Sequence, residues 1–273
     1  MIIVKNLHHT YPGEIHALKG VSLNIENGEF VVIMGENGAG KTTLVKHLNR
    51  LLNPTKGKVF IDNEDLAKHS VASISRKIGF VFQNPNNQLF CRSVEEEIEF
   101  GLKNFGFKNK EIKKIVEIVL KKMDIYKFKK SSPFELSEGE RKKIAIACAI
   151  SWNPSILILD EPTIAQDYEQ KLILQKIIKQ LLKERKTIIT VTHDIEFVAE
   201  LKPRIILMSN GLIIGDGPAE KILTNKKLIK KSSLIMPCMA QVFDTIHDKR
   251  VKRKIINVSD ADQELSNLIG GKK

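Results

Sequence analysis

The segment GENGAGKT at residues 35–42 constrains this chain more than any other feature of its sequence. It matches the phosphate-binding pattern G-x-x-x-x-G-K-[ST] at every position, between an apolar run and a helix-like stretch at 42–52. Because glycines have no Cβ, backbone N–H groups can turn towards a phosphate, and the helix N-terminus adds partial positive charge. Lys41 can neutralise the β- and γ-phosphates, and the Thr42 hydroxyl can bind Mg²⁺. The pattern therefore predicts a phosphate-binding loop between a buried strand and a helix.

Short apolar runs alternate with helical patterns along most of the chain. The spacing of apolar residues predicts amphipathic helices over 109–123 and 168–185. Strands that alternate with helices predict an α/β fold with a mainly parallel sheet. The predicted strands are FVVIM (30–34), IGFVF (78–82), ILILD (156–160), TIITVT (187–192) and RIILM (204–208).

Two stretches depart from this alternation. Residues 1–62 have the pattern of strands joined by tight turns, and Asn27-Gly28 is a strong signal for a hairpin between its flanking strands. Residues at about 91–150 interrupt the alternation with mostly helical patterns and are predicted to form a helical insertion.

Two adjacent carboxylates, Asp160 and Glu161, end the apolar run at 156–159. A buried strand that ends in acids is costly unless a cation or hydrogen bonds compensate the charge. Beside a phosphate-binding loop, Asp160 is predicted to act as a partner of Mg²⁺, and Glu161 as the general base for an attacking water. The alternative from the residues alone is that both acids cap the turn that follows.

Polar side chains follow two further predicted strands. His193 comes directly after TIITVT, and ligands collect at the carboxyl ends of parallel strands. A lone histidine is more often structural, but beside the two motifs above we predict that His193 contacts the γ-phosphate. Gln83 follows IGFVF, where its side chain can hold Mg²⁺ or the water.

The segment LSEGE at 136–140 precedes the helical run RKKIAIACAI. Ser137 and Glu140 form a Ser-x-x-Glu capping box, which is a complete structural explanation for the motif. A helix N-terminus that begins with Ser and Gly is also an anion site. The residues alone leave both interpretations open.

Composition narrows the classes of protein to consider. The net charge of +12 favours anionic partners, although lysine-rich helices that are simply solvated explain it too. Cys91, Cys148 and Cys238 are far apart, which predicts a reducing compartment with neither a disulfide framework nor a zinc site. Because no apolar run approaches about 18–20 residues, we expect no membrane span, and the N-terminus has no signal-peptide pattern.

The order and spacing of the motifs resemble those of the ATP-binding subunits of ABC transporters, over about residues 1–220. Within that family, the stretch FQNPNNQLFCRSVEEEIEFGLKN at 82–104 is similar to the ATPases of energy-coupling-factor importers, which include the cobalt and nickel importers. The motifs that carry the resemblance are Tyr11-Pro12, GENGAGKT, Gln83, LSEGE, ILILDEPT, Asp167 and THD at 192–194.

This resemblance implies a P-loop NTPase fold of ABC type. It has a mainly parallel sheet core, an N-terminal antiparallel β subdomain and a helical subdomain at about 91–150. Residues 221–273 would form a C-terminal extension with a role in dimerisation or regulation. Its basic patch KRVKRK at 249–254 suits a lipid head-group surface.

The resemblance also implies a role for each matching residue. Tyr11 would stack on adenine, and Thr42, Gln83 and Asp160 would surround Mg²⁺. Glu161 and His193 would be catalytic, while Ser137 and Gly139 would contact the γ-phosphate of the ATP held by a second subunit. The residues that would wrap the phosphates are Gly35, Glu36, Asn37, Gly38, Ala39, Gly40, Lys41, Thr42 and Thr43.

The function that follows from the resemblance is that of an ATP-hydrolysing motor at the cytoplasmic face of the cell membrane. Two such ATPases, identical or paralogous, would sandwich ATP and drive uptake of cobalt, nickel or a vitamin. Uptake would pass through two membrane proteins, an integral membrane coupling subunit and a substrate-binding membrane subunit. A coupling helix of the coupling subunit would enter a groove near residues 83–100 of this chain. No direct contact with nucleic acid is expected.

Two other classes of function stay open. A soluble ABC ATPase that acts on nucleic acid or ribosomes would suit the charge of +12. A module that holds ATP without hydrolysing it is disfavoured because the proposed base, Glu161, is present.

The segment LSEGE departs from the family pattern: Glu138 and Glu140 replace a glycine and a glutamine of the usual LSGGQ. We hypothesise that these carboxylates weaken or tune dimer closure through like-charge repulsion.

Overall fold

The computed structural model describes residues 1–246 and 254–270, the last two of these by their backbone alone. The basic patch at 249–254 therefore lies, except for Lys254, outside the described residues. The strands are β1 (Ile2–Tyr11), β2 (Ile15–Ile25), β3 (Phe30–Gly35), β4 (Lys56–Ile61), β5 (Glu64–Asp65), β6 (Ile78–Val81), β7 (Ile156–Asp160), β8 (Thr187–Val191), β9 (Arg204–Ser209) and β10 (Leu212–Pro218). The helices are α1 (Lys41–Leu48), α2 (Val71–Ser75), α3 (Val94–Asn104), α4 (Asn109–Lys122), α5 (Glu138–Ser151), α6 (Tyr168–Lys183), α7 (Ile195–Leu201), α8 (Ala219–Leu223), α9 (Lys226–Lys231), α10 (Cys238–Thr245) and α11 (Val258–Gly270).

The main sheet has the strand order β10-β9-β3-β8-β7-β6. Its strands run parallel except β10, which pairs antiparallel with β9. Every residue of β3, β7 and β8 is buried, as expected for strands that are covered on both faces. The carboxyl ends of β3, β6, β7 and β8 therefore meet at one edge of the sheet, where the predicted site residues follow them.

A second, antiparallel sheet has the order β2-β1-β4-β5 and packs on one face of the main sheet. The residues of β3 alternate between two cores, since successive side chains point to opposite faces. Val31 and Ile33 pack with the antiparallel sheet and α1, whereas Val32 and Met34 pack with the helices of the other face. The predicted combination of a mainly parallel core with an N-terminal antiparallel sheet is confirmed.

The prediction of a hairpin at Asn27-Gly28 is wrong. The strands that flank this turn, β2 and β3, belong to different sheets, and the turn carries the chain from one sheet to the other. The reason is that β3 is apolar at nearly every position and takes a fully buried central place. One hairpin of the antiparallel sheet instead joins β1 to β2, with Tyr11 paired with Ile15.

Helices α3, α4 and α5 lie between β6 and β7 in the chain, within the stretch predicted to be helical. The apolar stripe of α4, including Ile112, Val116 and Leu120, is buried in the main core. The domain boundary expected at residue 220 stays a prediction, and Ile222 and Leu223 beyond it pack into the same core. Within residues 1–246 and 254–270, every helix is too short or too polar to cross a bilayer.

Candidate active site

The loop between β3 and α1 wraps tightly because of its glycines. Gly35 and Gly40 have φ values of 144° and 94°, in a region that favours glycine. A Cβ on Gly35 would lie 2.1 Å from the carbonyl oxygen of Met208, and one on Gly40 would lie 2.4 Å from that of Ala17. The segment predicted from the motif thus has the backbone of a phosphate cradle and leads into the N-terminus of α1.

The Lys41 side chain folds back over this loop. Its Nζ donates hydrogen bonds to the carbonyl oxygens of Gly35, at 2.8 Å, and Glu36, at 2.7 Å. Burial lowers the pKa of the Lys41 ammonium, while the charges of Glu161, Asp160 and Glu36 act to raise it. The ammonium is thus held inside the loop among acceptors, where an anionic phosphate would be a favourable partner.

Asp160 ends the buried strand β7 next to the start of α1. The Thr42 hydroxyl donates a hydrogen bond of 3.3 Å to Oδ1 of Asp160. Burial raises the pKa of the Asp160 carboxyl, and this hydrogen bond only partly opposes the effect. A hydroxyl oxygen beside a carboxylate is a ligand set suited to Mg²⁺, which prefers oxygen, and a cation there would stabilise the charged carboxylate.

Glu161 and His193 come together although they are 32 positions apart in the chain. The backbone N–H of Glu161 donates to the carbonyl of Val191 at 2.8 Å, which fixes Glu161 at the sheet edge. His193 Nδ1 donates to Oε1 of Glu161 at 3.0 Å. The other oxygen, Oε2, is buried and has no hydrogen-bond partner among the described residues. A buried carboxylate oxygen left in this state is costly, so the geometry suits a water or ligand at that position.

A cavity of about 340 Å³ opens over the loop. It gathers Tyr11, the loop, Gln83 and Glu161, which lie far apart in the sequence. The Tyr11 hydroxyl lies 3.2 Å from the hydroxyl of Thr43, which holds the aromatic ring at the rim. The lining residues are Tyr11, Ile15, His16, Ala17, Asn37, Gly38, Ala39, Gly40, Lys41, Thr42, Thr43, Gln83 and Glu161.

Three lining residues, Ile15, His16 and Ala17, were missed by the sequence analysis. They belong to β2, directly after the turn that pairs Ile15 with Tyr11. The short turn after Tyr11-Pro12 indicates their position, because a β-hairpin places the residues of its two strands opposite each other.

Ser137 and Gly139 do not line this cavity. Ser137 caps α5, and its backbone N–H and hydroxyl donate to Oε2 of Glu140 at 2.9 and 2.8 Å. Burial raises the pKa of Glu140, but the hydrogen bonds from Ser137 and nearby lysine charges outweigh it, so the pKa is lowered overall. The capping box is therefore formed, with a carboxylate directly on the serine. Gly139 packs against α6, where a Cβ would lie 2.4 Å from Oε1 of Gln170.

Comparison with known proteins identifies the family of this chain. The family model described as ABC transporter matches residues 18–164, more than half of the chain. The chain belongs to the ABC transporter family. It has the ABC ATPase fold predicted from its motifs, and its enzymatic activity is the ATP hydrolysis of ABC cassettes.

Relatives of this ABC ATPase extend the match over almost its whole length. It is 35% identical to the energy-coupling factor transporter ATP-binding protein EcfA of Methanothermobacter thermautotrophicus, over 99% of this chain and 88% of that protein. Among solved structures, CbiO1 of Clostridium perfringens, part of the ABC transporter complex CbiONQ, has a TM-score of 0.76 at 34% identity, covering 89% of this chain and 98% of that one. A dimeric ATP-binding cassette in a post-hydrolysis state with ADP and phosphate has a TM-score of 0.74 at 34% identity, covering 80% and 99%.

Proposed function

We propose that this ABC ATPase is the motor subunit of an energy-coupling-factor type importer. The observation that carries the proposal is the similarity to an energy-coupling factor ATP-binding protein over 99% of the chain. The motor would drive uptake of a small nutrient, which is cobalt, nickel or a vitamin.

The cavity is the proposed ATP site. Tyr11 is proposed to stack on adenine, and the residues from Gly35 to Thr43 are proposed to wrap the phosphates, with the Lys41 ammonium on the β- and γ-phosphates. Of these residues, Tyr11 and Asn37 to Thr43 line the cavity. Thr42, Gln83 and Asp160 are the proposed partners of Mg²⁺. The hydroxyl–carboxylate pair of Thr42 and Asp160 supports this assignment. When bound, Mg²⁺ neutralises phosphate charge that develops during transfer.

Glu161 is the proposed general base, and His193 holds it in place. The unpaired Oε2 of Glu161 accepts a proton from water as the water oxygen bonds to the γ-phosphorus. The bond from that phosphorus to the oxygen bridging to the β-phosphate breaks, which gives ADP and inorganic phosphate. The imidazole of His193 is 58% exposed, so it can also contact the γ-phosphate.

The working unit is proposed to be a dimer of two ABC ATPases, formed from two copies or with a paralogue. Ser137 and Gly139 lie outside the cavity of their own chain, at the start of α5. In a head-to-tail pair they would reach the γ-phosphate of the ATP in the other subunit. The similarity to a dimeric cassette supports this arrangement.

The membrane partners are proposed to dock near residues 83–100, which places the motor peripherally at the cytoplasmic face. Phe90 and Phe100 are 60% and 47% exposed, and their ring centroids lie 4.8 Å apart. This aromatic pair suits an apolar helix of an integral membrane coupling subunit. A separate substrate-binding membrane subunit would select the nutrient.

Purification of tagged Glu161→Gln protein from its own cells, gently solubilised with MgATP, tests this function. We expect two small integral membrane proteins to accompany it, and the metal or vitamin they carry would identify the nutrient. Ribosomal proteins or nucleic acid without any membrane protein would contradict the proposal. That outcome would favour a soluble ABC ATPase acting on nucleic acid or ribosomes, which the charge of +12 would suit.

A further inference from the structure

Lys142 on α5 is completely buried, with 0% of its surface exposed. It follows the capping Ser137 by little more than one helical turn. Its Nζ donates hydrogen bonds to the backbone carbonyls of Phe82, at 3.3 Å, and of Gln83. Lysine is almost never fully buried unless it is paired, so this arrangement needs an explanation.

A second connection joins the same two parts of the chain. The Gln88 side chain donates from Nε2 to the carbonyl of Ala145 at 3.1 Å, and its Oε1 accepts from the N–H of Phe82 at 3.4 Å. Ala145 is three residues after Lys142 and lies on the same face of α5. The segment 82–88 is thus attached to α5 at two points about one turn apart.

The charges around Lys142 also favour its position. Burial lowers the pKa of the Lys142 ammonium, while the carboxylates of Glu138, Asp160 and Glu161 act to raise it. The ammonium therefore lies within electrostatic reach of both the start of α5 and the acidic pair at the end of β7. Replacing it with an apolar group would leave the backbone carbonyls of Phe82 and Gln83 without this donor.

We propose that Lys142 is a positioning residue that makes Gln83 move together with the start of α5. Gln83 lines the cavity proposed to hold ATP, and Ser137 caps the start of α5, which in the proposed dimer would face the second subunit. A displacement of α5 when Ser137 meets the partner's nucleotide then carries Gln83 with it, through Lys142 and Gln88. Coupling of this kind requires a contiguous chain of contacts, and these two connections supply one. The inference rests on the proposed function, in which Gln83 serves Mg²⁺ and the attacking water.

A double-mutant cycle on the full-length protein tests this link. The variants are Lys142→Met, Lys142→Arg, Gln83→Ala and the combination of Lys142→Met with Gln83→Ala. The control is Lys113→Met, because Lys113 is an exposed lysine of the neighbouring helix α4. For each variant, kcat for MgATP hydrolysis and the Kd of MgATP are measured.

We expect Lys142→Met to lower kcat about tenfold while the Kd of MgATP changes much less, since the loop itself is unaltered. Lys142→Arg should restore most of kcat, because guanidinium can also donate to both carbonyls. Adding Lys142→Met to Gln83→Ala should lower kcat little further, because both changes act through Gln83. Lys113→Met should hydrolyse ATP at the normal rate.

The proposed coupling would be overturned if the double variant lost kcat by the product of the two single-variant losses. It would also be overturned if Lys142→Met had the same kcat as the unaltered protein. If Lys142→Met does not fold, Gln88→Leu removes the second connection instead. We expect that variant to lower kcat without weakening MgATP binding, and an unchanged kcat would contradict the link. An unaltered protein that hydrolyses no MgATP would instead reject the proposed function itself, together with the inference that rests on it.

Discussion

The imidazole of His193 holds one oxygen of the Glu161 carboxylate and leaves the other free. Nδ1 lies 3.0 Å from Oε1, while Oε2 is buried without a hydrogen-bond partner in the described part of the chain. The Glu161 side chain is 9% exposed and the His193 ring is 58% exposed. A base that is fixed through one oxygen presents the other in a defined direction, which is the geometry that general-base catalysis needs.

Replacing His193 should therefore slow hydrolysis without weakening nucleotide binding. We expect His193→Ala to lower kcat roughly 10²-fold, because both the anchor of Glu161 and the proposed γ-phosphate contact are lost. Steady-state kinetics with a separate measurement of MgATP affinity provide the check. His69→Ala is the control, since His69 lies beside Glu64 at the far end of the antiparallel sheet. Equal kcat values for the two variants would contradict a role of His193 in hydrolysis.

Lys41 should contribute to binding in proportion to the phosphates present. We expect Lys41→Ala to raise the Kd of MgATP roughly 10–10²-fold, because it removes hydrogen bonds between charged groups. Affinity for AMP should change little, since the ammonium is proposed to contact the β- and γ-phosphates, which AMP lacks. Calorimetry with ATP, ADP and AMP makes this comparison. A uniform loss for all three nucleotides would indicate that the loop itself is damaged.

The carboxylates at 138 and 140 should shorten the lifetime of the ATP-bound dimer. Glu140 accepts two hydrogen bonds from Ser137, so a negative charge lies on the residue proposed to meet the partner's γ-phosphate. Glu138→Gly combined with Glu140→Gln removes both charges, and the glutamine amide oxygen can still accept from Ser137. We expect a longer-lived dimer in MgATP, measured by its dissociation after dilution. Unchanged dimer lifetime and ATP affinity would refute the repulsion hypothesis.

His47 should make the stability of the fold depend on pH. Its Nδ1 lies 2.7 Å from the carbonyl of Thr43, and its Nε2 lies 3.1 Å from Nδ1 of His9. Burial lowers the pKa of His47, so the unfolded chain binds a proton there at higher pH than the native protein does. The free energy of unfolding should fall as pH drops below about 6.5, towards the lower pKa of the native state.

Urea unfolding at about pH 7.5 and pH 5.5 measures this dependence. His47→Gln removes the titrating ring while keeping a side-chain donor for the Thr43 carbonyl. The difference in stability between the two pH values should be smaller in that variant. A difference equal to that of the unaltered protein would assign the pH dependence to other groups.

Much of the site could be predicted because parallel strands end at a common edge. The phosphate loop follows β3, Gln83 follows β6, Asp160 ends β7, and His193 follows β8. Apolar runs identify these strands, and the polar residue that ends or follows each run is the one predicted to lie at the site. The hairpin at Asn27-Gly28 was wrong because a local turn signal does not reveal in which sheet the next strand will be buried.

Contacts between distant parts of the chain could not be predicted in this way. Lys142 sits in a helix among other basic residues, where lysine is usually solvated. In the C-terminal extension, Ser233 donates a hydrogen bond of 3.1 Å to Oε2 of Glu36 in the phosphate loop, 197 positions away. No spacing between residues in the sequence predicts either contact, since each depends on how whole helices and strands pack together.

The proposed role of Glu161 as general base is tested by comparing MgATP hydrolysis by the purified Glu161→Gln variant with that by the unaltered protein. The substitution keeps the shape of the side chain and removes its basicity. We expect MgATP to bind with near-normal affinity and hydrolysis to slow about 10²–10⁴-fold, the usual contribution of a positioned base. Near-normal hydrolysis by Glu161→Gln would contradict the role of Glu161 as general base, because another group would then accept the proton of the attacking water.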